Sequence, residues 1–213
     1  MPAVADDTTL KLAADQLVRC DPVLAPIIER SSLATISPHK NYYQELVESI
    51  ISQQLSVKAA ATILRRFVGL FPGDDFPGPE LIFKKDIEQL RLAGLSRQKG
   101  CYIQDLASKV IDGRVRFDHL DELSNEQIIA ELTLIKGVGE WTVHMFLIFC
   151  MGRLDVLPVG DLGIKNGIQR LYGFDSPPTP ADIRQTAIEN SWHPYESVAS
   201  WYVWNSIDAK PAL

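Results

Sequence analysis

The spacing of the apolar residues constrains this chain most, because it follows the helical repeat along most of its length. Between residues 42 and 71, for example, Leu46 and Ile50 are four positions apart, and Ala60, Ile63, Leu64 and Phe67 then recur at intervals of three and four. Such a stripe marks the buried face of an amphipathic helix. Few segments alternate with a period of two for long enough to make a sheet. We therefore predict an all-α fold.

Residues that cap helices indicate where several of the helices begin. A serine or threonine before a helix accepts a hydrogen bond from the first turn and so satisfies a backbone donor there. Such residues are Ser56, Ser96, Ser124 (with Gln127 completing a capping box) and Thr179, which Pro180 follows. The serine at position 56 divides the first apolar stripe into two helices. Further helices are predicted at about 80–93, 97–112, 124–134, 139–151, 161–172, 180–190 and 195–207.

Composition excludes several classes of protein. The 213 residues carry a formal charge of −6, and no apolar run reaches the roughly 18 residues that span a membrane. The first residues lack the basic and apolar regions of a secretion signal. We therefore expect neither a membrane partner nor secretion.

The three cysteines and four histidines argue against a metal or disulfide scaffold. Cys20, Cys101 and Cys150 are far apart and odd in number, and no two histidines have the spacing of metal ligands. We therefore expect a reducing compartment, no disulfide and no zinc site.

Two glycines one residue apart, Gly137 and Gly139, lie between the helices predicted at 124–134 and 139–151. This arrangement predicts a helix-hairpin-helix. Glycine adopts positive φ and lets a ligand approach the backbone. The N–H groups at the start of the second helix form an anion site that suits a DNA phosphate. The alternative is a tight turn between two helices that binds nothing.

The glycine pair begins one of four motifs that occur in order along the chain. The motif that the glycine pair begins fits the pattern GxGxWT…LPxxDxxI, and its residues are Gly137, Gly139, Trp141, Thr142, Leu157, Pro158, Asp161 and Ile164. The others are IISQQLSVKAAATI (50–63), GLSRQKGCYIQDLA (94–107) and WHPYESVASWYVW (192–204). With these motifs, residues 42–205 resemble the helix-hairpin-helix DNA glycosylases, and within them the 3-methyladenine DNA glycosylase II family of alkylation repair.

The resemblance implies a two-lobed helical fold. It also implies that the protein binds double-stranded DNA containing damaged bases, acts as a monomer and needs no cofactor. One lobe would comprise residues 39–152, and the other residues 1–38 together with 153–213. The second lobe carries Asp161, which the resemblance puts at the mouth of the cleft between the lobes.

Asp161 is the expected catalytic residue. Breaking the bond between base and sugar develops positive charge on the sugar, which a fixed carboxylate stabilises while it orients or deprotonates the attacking water. One carboxylate suffices for a methylated purine, because a cationic base leaves without a general acid. The alternative is that this aspartate only caps the helix that follows it.

An enzyme that acts on a base must extrude it from the stack, and a side chain often fills the gap. The resemblance assigns this insertion to Gln54, with Leu55 as the neighbouring candidate. It assigns the pocket for the flipped base to Trp141, Met145 and Tyr195, because aromatic faces attract a cationic purine. Some relatives carry an aromatic residue at the methionine position. The alternatives are a solvated helix end for the glutamine pair and a core position for Trp141.

The other aromatic and imidazole side chains of these motifs have simpler interpretations. Trp201 and Trp204 are expected in the core. His144, on a helix, is expected to be packed or to face solvent rather than to be a ligand.

Several residues are expected to contact DNA phosphates: Gly137, Gly139, Thr142, Arg97, Lys99 and Lys165. Each basic residue among them could instead be a solvated surface charge. In relatives the hairpin carbonyls can hold a monovalent cation against the phosphate. The resemblance allows such a cation at the carbonyls of Ile135, Gly137 and Gly139.

Two absent features narrow the reaction. Relatives that also cut the strand carry a Schiff-base lysine where this chain has Trp141, and Lys136 and Lys165 do not match that position. Relatives with an iron–sulfur cluster have four closely spaced C-terminal cysteines, whereas no cysteine follows Cys150 here. One departure concerns substrate range, because Glu196 stands where relatives usually carry a basic residue.

The sequence therefore predicts a monofunctional DNA glycosylase that removes alkylated purines, such as 3-methyladenine, and leaves an abasic site. Two alternatives stay open: a non-catalytic helix-hairpin-helix protein that binds DNA, and a glycosylase for uracil, hypoxanthine or oxidised bases. The expected location is the cytoplasm and nucleoid of a prokaryote or the nucleus of a eukaryote.

Overall fold

The structure, a computed structural model, describes residues 5–73 and 75–207. Within these ranges it is helical and contains no β-strand, which confirms the all-α prediction. The α-helices are α1 (Asp7–Cys20), α2 (Ala25–Arg30), α3 (Tyr42–Ser52), α4 (Val57–Val68), α5 (Pro79–Lys84), α6 (Ile87–Leu92), α7 (Arg97–Ile111), α8 (Asn125–Leu132), α9 (Glu140–Met145), α10 (Leu162–Tyr172), α11 (Pro180–Glu189) and α12 (Glu196–Ser206). A short 3₁₀ helix covers Leu120–Glu122, and a π-helix over Phe146–Cys150 follows α9.

The cap residues begin helices where the sequence predicts them. Ser56 accepts a hydrogen bond from the first turn of α4, and Ser96 does the same for α7. Ser124 and Thr179 form capping boxes at α8 and α11. These starts were predictable because a cap and its helix are adjacent in sequence.

The predicted helix at 80–93 was wrong, because this segment forms two helices, α5 and α6. The chain leaves the helical conformation at Lys85 and Asp86, and Asp86 then caps α6 in a capping box with Gln89. A second cap inside an apolar stripe ends one helix and starts another. Two helices near the N-terminus, α1 and α2, were not predicted, although Asp6 caps α1 by accepting a hydrogen bond of 2.7 Å from Thr9 N–H.

Internal packing divides the chain into two compact units. Among the described residues, the hairpin unit is Asn41–Val143, and the Asp161 unit combines residues 5–40 with residues 144–207. The three cysteines, all within the described ranges, form no disulfide with one another. No described helix is both long and apolar enough to cross a bilayer.

In the hairpin unit, α7 is the central helix and packs against α3, α5 and α6. Its buried face carries Ile103 and Leu106, which are fully enclosed. The facing helices contribute further buried apolar side chains: Leu46, Val47, Ile50, Ile51, Ile82 and Leu90. These contacts fix α7 within the unit, and other side chains of α7 reach the loops described below.

In the Asp161 unit, α12 packs against α1, α2 and α10. Trp201 and Trp204 of α12 are buried, as predicted for core residues. The contact with α10 is close because Gly167 has no side chain: a Cβ atom there would lie 2.4 Å from Val203 Cγ1. The backbones of α10 and α12 therefore approach each other more closely than ordinary side chains allow.

Candidate functional site

The hairpin turn requires its first glycine. Val138 N–H donates to Ile135 O at 3.1 Å and closes a turn whose third residue, Gly137, has φ 81°. Such a turn favours glycine at this position. A Cβ atom on Gly137 would lie 2.1 Å from Cδ2 of Tyr102, so the ring packs directly against the turn.

The second glycine of the pair has a different environment. A Cβ atom on Gly139 would meet nothing within 4 Å, and the residue is exposed at the start of α9. Val143 N–H donates to Gly139 O at 3.1 Å, which makes Gly139 the residue that opens the helix. The helix therefore begins at a backbone that a ligand can approach closely.

A second turn, Gln53 and Gln54, lies beside the hairpin in the same unit. Gln53 Nε2 donates to Gly137 O at 2.9 Å and joins the two turns directly. Gln54 is exposed and has φ 59°, a left-handed conformation that is uncommon for residues other than glycine. Leu55, the neighbouring candidate for insertion, is also exposed.

Lys99 has a role that the sequence analysis did not foresee. Its ammonium donates to Ile51 O at 2.7 Å and to Gln53 O at 2.6 Å, and so holds the carbonyl groups at the end of α3. Burial lowers the pKa of this ammonium. The phosphate contact predicted for Lys99 stays a prediction. Arg97, on the same helix, is exposed and lies 3.9 Å from Glu88.

Asp105 fixes the other end of the hairpin turn. Its carboxylate accepts hydrogen bonds from Lys136 N–H at 2.8 Å and from Lys109 Nζ at 2.5 Å. Burial alone would raise the pKa of Asp105, but these two hydrogen bonds and the positive charges of Lys109 and Lys136 together outweigh it, and the pKa is lowered.

Asp161 is a buried carboxylate at the start of α10, with 7% of its surface exposed. Its Oδ1 atom accepts two hydrogen bonds of 2.8 Å, one from Ile164 N–H and one from the indole Nε1–H of Trp204. The first bond is the helix cap that the sequence analysis considered as an alternative. The second joins Asp161 to α12, across 43 positions of sequence.

Sequence reasoning missed the contact of Trp204 with Asp161. The indole also stacks on Phe149, with ring centroids 5.9 Å apart. A Cβ atom on Gly163 would lie 2.9 Å from Trp204 Cδ1 and 3.0 Å from Asp161 Oδ1, so this glycine makes room for the pair. Gly163 and Gly167 are four residues apart on α10, a spacing that could have indicated a close helix contact.

The residues predicted to line a base pocket fall in different units. Trp141 belongs to the hairpin unit and is 41% exposed, which excludes the core position considered for it. Met145 and Tyr195 belong to the Asp161 unit, where Met145 is buried and Tyr195 is half-buried. A pocket that joins the three stays a prediction. His144 was expected to be either packed or facing solvent, and it is buried.

Glu196 interacts with a neighbour within its own segment. Its Oε1 atom lies 3.0 Å from His193 Nδ1, whereas its Oε2 atom is buried without a hydrogen-bond partner. The carboxylate lines an open pocket of about 420 Å³ together with Leu157, Arg184, Ala187, Ile188, Ser191 and His193. Neither Asp161 nor Tyr195 lines this pocket.

The phosphate contacts predicted for Thr142 and Lys165 and the predicted cation site stay predictions. Thr142 is buried, and Lys165 is half-buried on α10. The three hairpin carbonyls suggested for a cation each accept a hydrogen bond within the protein: Ile135 O from Val138, Gly137 O from Gln53 and Gly139 O from Val143.

The class of protein is helix-hairpin-helix with an acidic site, and two features define it. One is a turn with a left-handed glycine before the exposed start of a helix. The other is a buried carboxylate that caps a second helix. Comparison with known proteins agrees with this class. Residues 47–193 match the family model described as HhH-GPD superfamily base excision DNA repair protein.

Individual relatives place the chain more closely. DNA-3-methyladenine glycosylase 1 of Schizosaccharomyces pombe is 38% identical over 168 residues, which cover 78% of this chain and 73% of the relative. The structure of 3-methyladenine DNA glycosylase from the same yeast, in complex with abasic DNA, superimposes with a TM-score of 0.78 at 33% identity and covers 92% of this chain and 97% of that one. A DNA-3-methyladenine glycosidase from Bacillus halodurans gives a TM-score of 0.79 at 38% identity, over 91% and 88% of the two chains. The chain therefore belongs to the HhH-GPD superfamily of base-excision DNA repair proteins, in its 3-methyladenine DNA glycosylase family.

The two hairpin glycines should differ in their tolerance of substitution. We expect Gly137→Ala to lower the free energy of unfolding by more than about 2 kcal/mol, since a left-handed backbone strains a side chain and the new Cβ atom would displace Tyr102. Gly139→Ala is the matched control, and its free energy of unfolding should lie within about 0.5 kcal/mol of the wild-type value. Denaturant unfolding of the two variants measures both values, and equal stability would contradict this account of the turn.

The lowered pKa of Asp105 predicts a pH-dependent contribution to stability. An aspartate with a lowered pKa stabilises the fold above the pKa of the unfolded chain, about 3.9, and the stabilisation is lost as pH falls through the lower folded value. We expect Asp105→Asn to be destabilised by about 1–3 kcal/mol near pH 6. The gap to wild type should narrow as pH falls below about 4. Urea unfolding at several pH values measures the gap, and a gap independent of pH would contradict the prediction.

Proposed function

We propose that this protein is a monofunctional DNA glycosylase that removes alkylated purines, 3-methyladenine and related bases, and leaves an abasic site. The single observation that carries the proposal is the buried carboxylate of Asp161, which the indole of Trp204 and the first turn of α10 hold in one orientation. The names of the relatives, 3-methyladenine DNA glycosylases of a yeast and a bacterium, support the same substrate class.

The proposed reaction breaks the bond between C1′ of the sugar and the purine nitrogen. The electron pair of this bond leaves with the base, and positive charge develops on the sugar. A carboxylate held in place stabilises that charge without reorganising at the moment of reaction. Water then adds to C1′, and its proton passes to the carboxylate, which acts as a general base.

A cationic base makes this chemistry possible with one carboxylate. An alkylated purine already carries the charge that a general acid would otherwise supply, so its departure requires no proton. The exposed ring of Trp141 offers a π face that attracts such a cation. A lysine that could form a Schiff base does not occupy position 141, and so the proposed product is the abasic site alone.

The hairpin unit supplies the proposed DNA contacts. The open approach to Gly139 suits a phosphate at the start of α9. The exposed, left-handed Gln54 is the proposed side chain that enters the duplex where the base is extruded. The proposed partner is therefore double-stranded DNA with a damaged base, and the place of action is the nucleoid or the nucleus.

The catalytic role of Asp161 is tested by base release from methylated duplex DNA. We expect Asp161→Asn to lower kcat by at least about 10²-fold, since asparagine can still cap α10 but carries no charge to stabilise the sugar. Asp182→Asn, in the cap of α11, is the matched control and should retain wild-type activity. Equal rates for wild type and Asp161→Asn would refute the role of Asp161.

The same assay, run on duplexes with single lesions, separates the proposal from its alternatives. Release of methylated purines alone supports the proposal. Tight binding of abasic DNA without release of any base would instead indicate a non-catalytic DNA-binding protein. Faster release of uracil, hypoxanthine or an oxidised base would indicate a different substrate.

Trp204 is proposed to position Asp161 rather than to touch the substrate. We expect Trp204→Phe to keep the stacking on Phe149, lose the hydrogen bond to Asp161 and lower kcat about tenfold with little change in KM. Trp201→Phe, on the same buried helix, is the control and should change neither value. A rise in KM with unchanged kcat would contradict a positioning role.

A further inference from the structure

We propose that α7 has a role in DNA recognition: Lys99, Tyr102, Asp105 and the linking Gln53 fix the turn at Gln53 and Gln54 (the insertion turn) in register with the phosphate-binding hairpin. The inference rests on the proposed function, because it presumes that Gln54 enters the duplex and that the hairpin holds a phosphate. The four residues are positioning residues, and none of them needs to touch the damaged base.

The three residues of α7 share one face of the helix. They are three positions apart, a spacing that places side chains nearly above one another. Ile103 and Leu106, which lie next to this face, are fully enclosed and pack α7 into the core of the hairpin unit. The helix is therefore a rigid support from which three side chains reach two loops.

Lys99 fixes the insertion turn. Its ammonium donates to Ile51 O and to Gln53 O, the carbonyls on either side of the end of α3. A cation is well suited to this place, because helix C-termini leave carbonyls without helical donors and carry partial negative charge. The next residue is Gln54, whose left-handed backbone is unfavourable for a residue other than glycine unless its surroundings hold it.

Tyr102 and Asp105 fix the hairpin. The ring of Tyr102 lies where the side chain of any residue other than glycine would be at position 137. Asp105 accepts the N–H of Lys136, the preceding residue of the turn, and its own position is held by Lys109. The turn is thus held by the contact of the Tyr102 ring with Gly137 and by the hydrogen bond from Lys136 N–H to the carboxylate of Asp105.

Gln53 completes a closed set of contacts. Its backbone carbonyl accepts from Lys99 and its side-chain amide donates to Gly137 O, so one residue connects α7, the insertion turn and the hairpin. The two neighbouring glutamines consequently have separate tasks, because Gln53 holds the loop and Gln54 is exposed for insertion. A phosphate bound at the hairpin then determines where along the duplex Gln54 enters.

This coupling predicts a specific defect. Without it, each loop can still contact DNA, but the two no longer match the spacing between a phosphate and the extruded base. We expect preference for a lesion site over undamaged duplex to fall, while binding to undamaged duplex persists, since the latter depends on phosphate contacts. Loss of a single anchoring interaction of this kind corresponds to about tenfold in the preference.

The test uses a duplex containing a tetrahydrofuran abasic site opposite 2-aminopurine, so that insertion is seen without base release. The variants are Lys99→Met and Gln53→Met, which remove donors but keep side-chain length, with Lys99→Arg as the conservative variant that keeps the donors. Gln54→Ala measures the insertion signal itself. Lys84→Met, an exposed lysine of α5, is the control for loss of one positive charge. The measurements are 2-aminopurine fluorescence on binding, the ratio of the dissociation constants for undamaged and abasic duplex, and thermal unfolding.

We expect Lys99→Met to lower both the fluorescence change and the ratio of dissociation constants by about tenfold. We expect Gln53→Met to lower both by about threefold. Lys99→Arg should restore most of both, and Lys84→Met should leave them at wild-type values. If Lys99→Met does not fold, Gln53→Met carries the same test, because its side chain is partly exposed.

Three outcomes would overturn the inference. If Gln54→Ala lowers the signal but Lys99→Met and Gln53→Met do not, the loops are not coupled, although insertion by Gln54 stands. If Lys99→Met weakens binding to both duplexes equally and reduces the dependence on salt, Lys99 contacts phosphate instead. If Gln54→Ala leaves the signal unchanged, the proposed insertion fails and the coupling with it.

Discussion

The hydrogen bond from the indole of Trp204 to Asp161 is the interaction on which the Asp161 unit depends. A carboxylate that is 7% exposed must be hydrogen-bonded, since an unsatisfied buried charge costs several kcal/mol. The indole can reach it only because α10 presents glycine at positions 163 and 167, where α12 approaches most closely. The contact of α12 with α1 and α2 then holds the helix that carries the donor. The polar group thus determines how the apolar helices pack.

The hairpin unit follows the same rule at its surface. Position 137 requires glycine because the ring of Tyr102 occupies the space of a side chain there. Position 163 requires glycine for the same reason, because of the indole of Trp204. In both units an aromatic ring against a glycine holds a polar group in position. The rings are stiff and the glycines admit them, so the backbone at each site has little freedom to move.

Sequence predicted the parts of this structure that are encoded locally. The starts of α4, α7 and α8 follow from Ser56, Ser96 and Ser124, because a cap bonds to residues three positions away. Family motifs directed attention to the hairpin and to Asp161. The contacts that hold these sites lie far apart in sequence, as between Trp204 and Asp161 or between Lys99 and Ile51. Helical periodicity shows that a residue is buried but not which partner it meets.

The phosphate contact proposed at the open backbone of Gly139 has a consequence for how the protein searches a genome. A phosphate held by uncharged backbone N–H groups needs no lysine or arginine, so fewer counterions are released for each contact. With a formal charge of −6, the chain gains little general attraction to undamaged duplex. The expected dwell time on such DNA is accordingly short, with each encounter ending quickly unless a base is extruded. Discrimination then depends on how often sites are sampled rather than on how long any one of them is held.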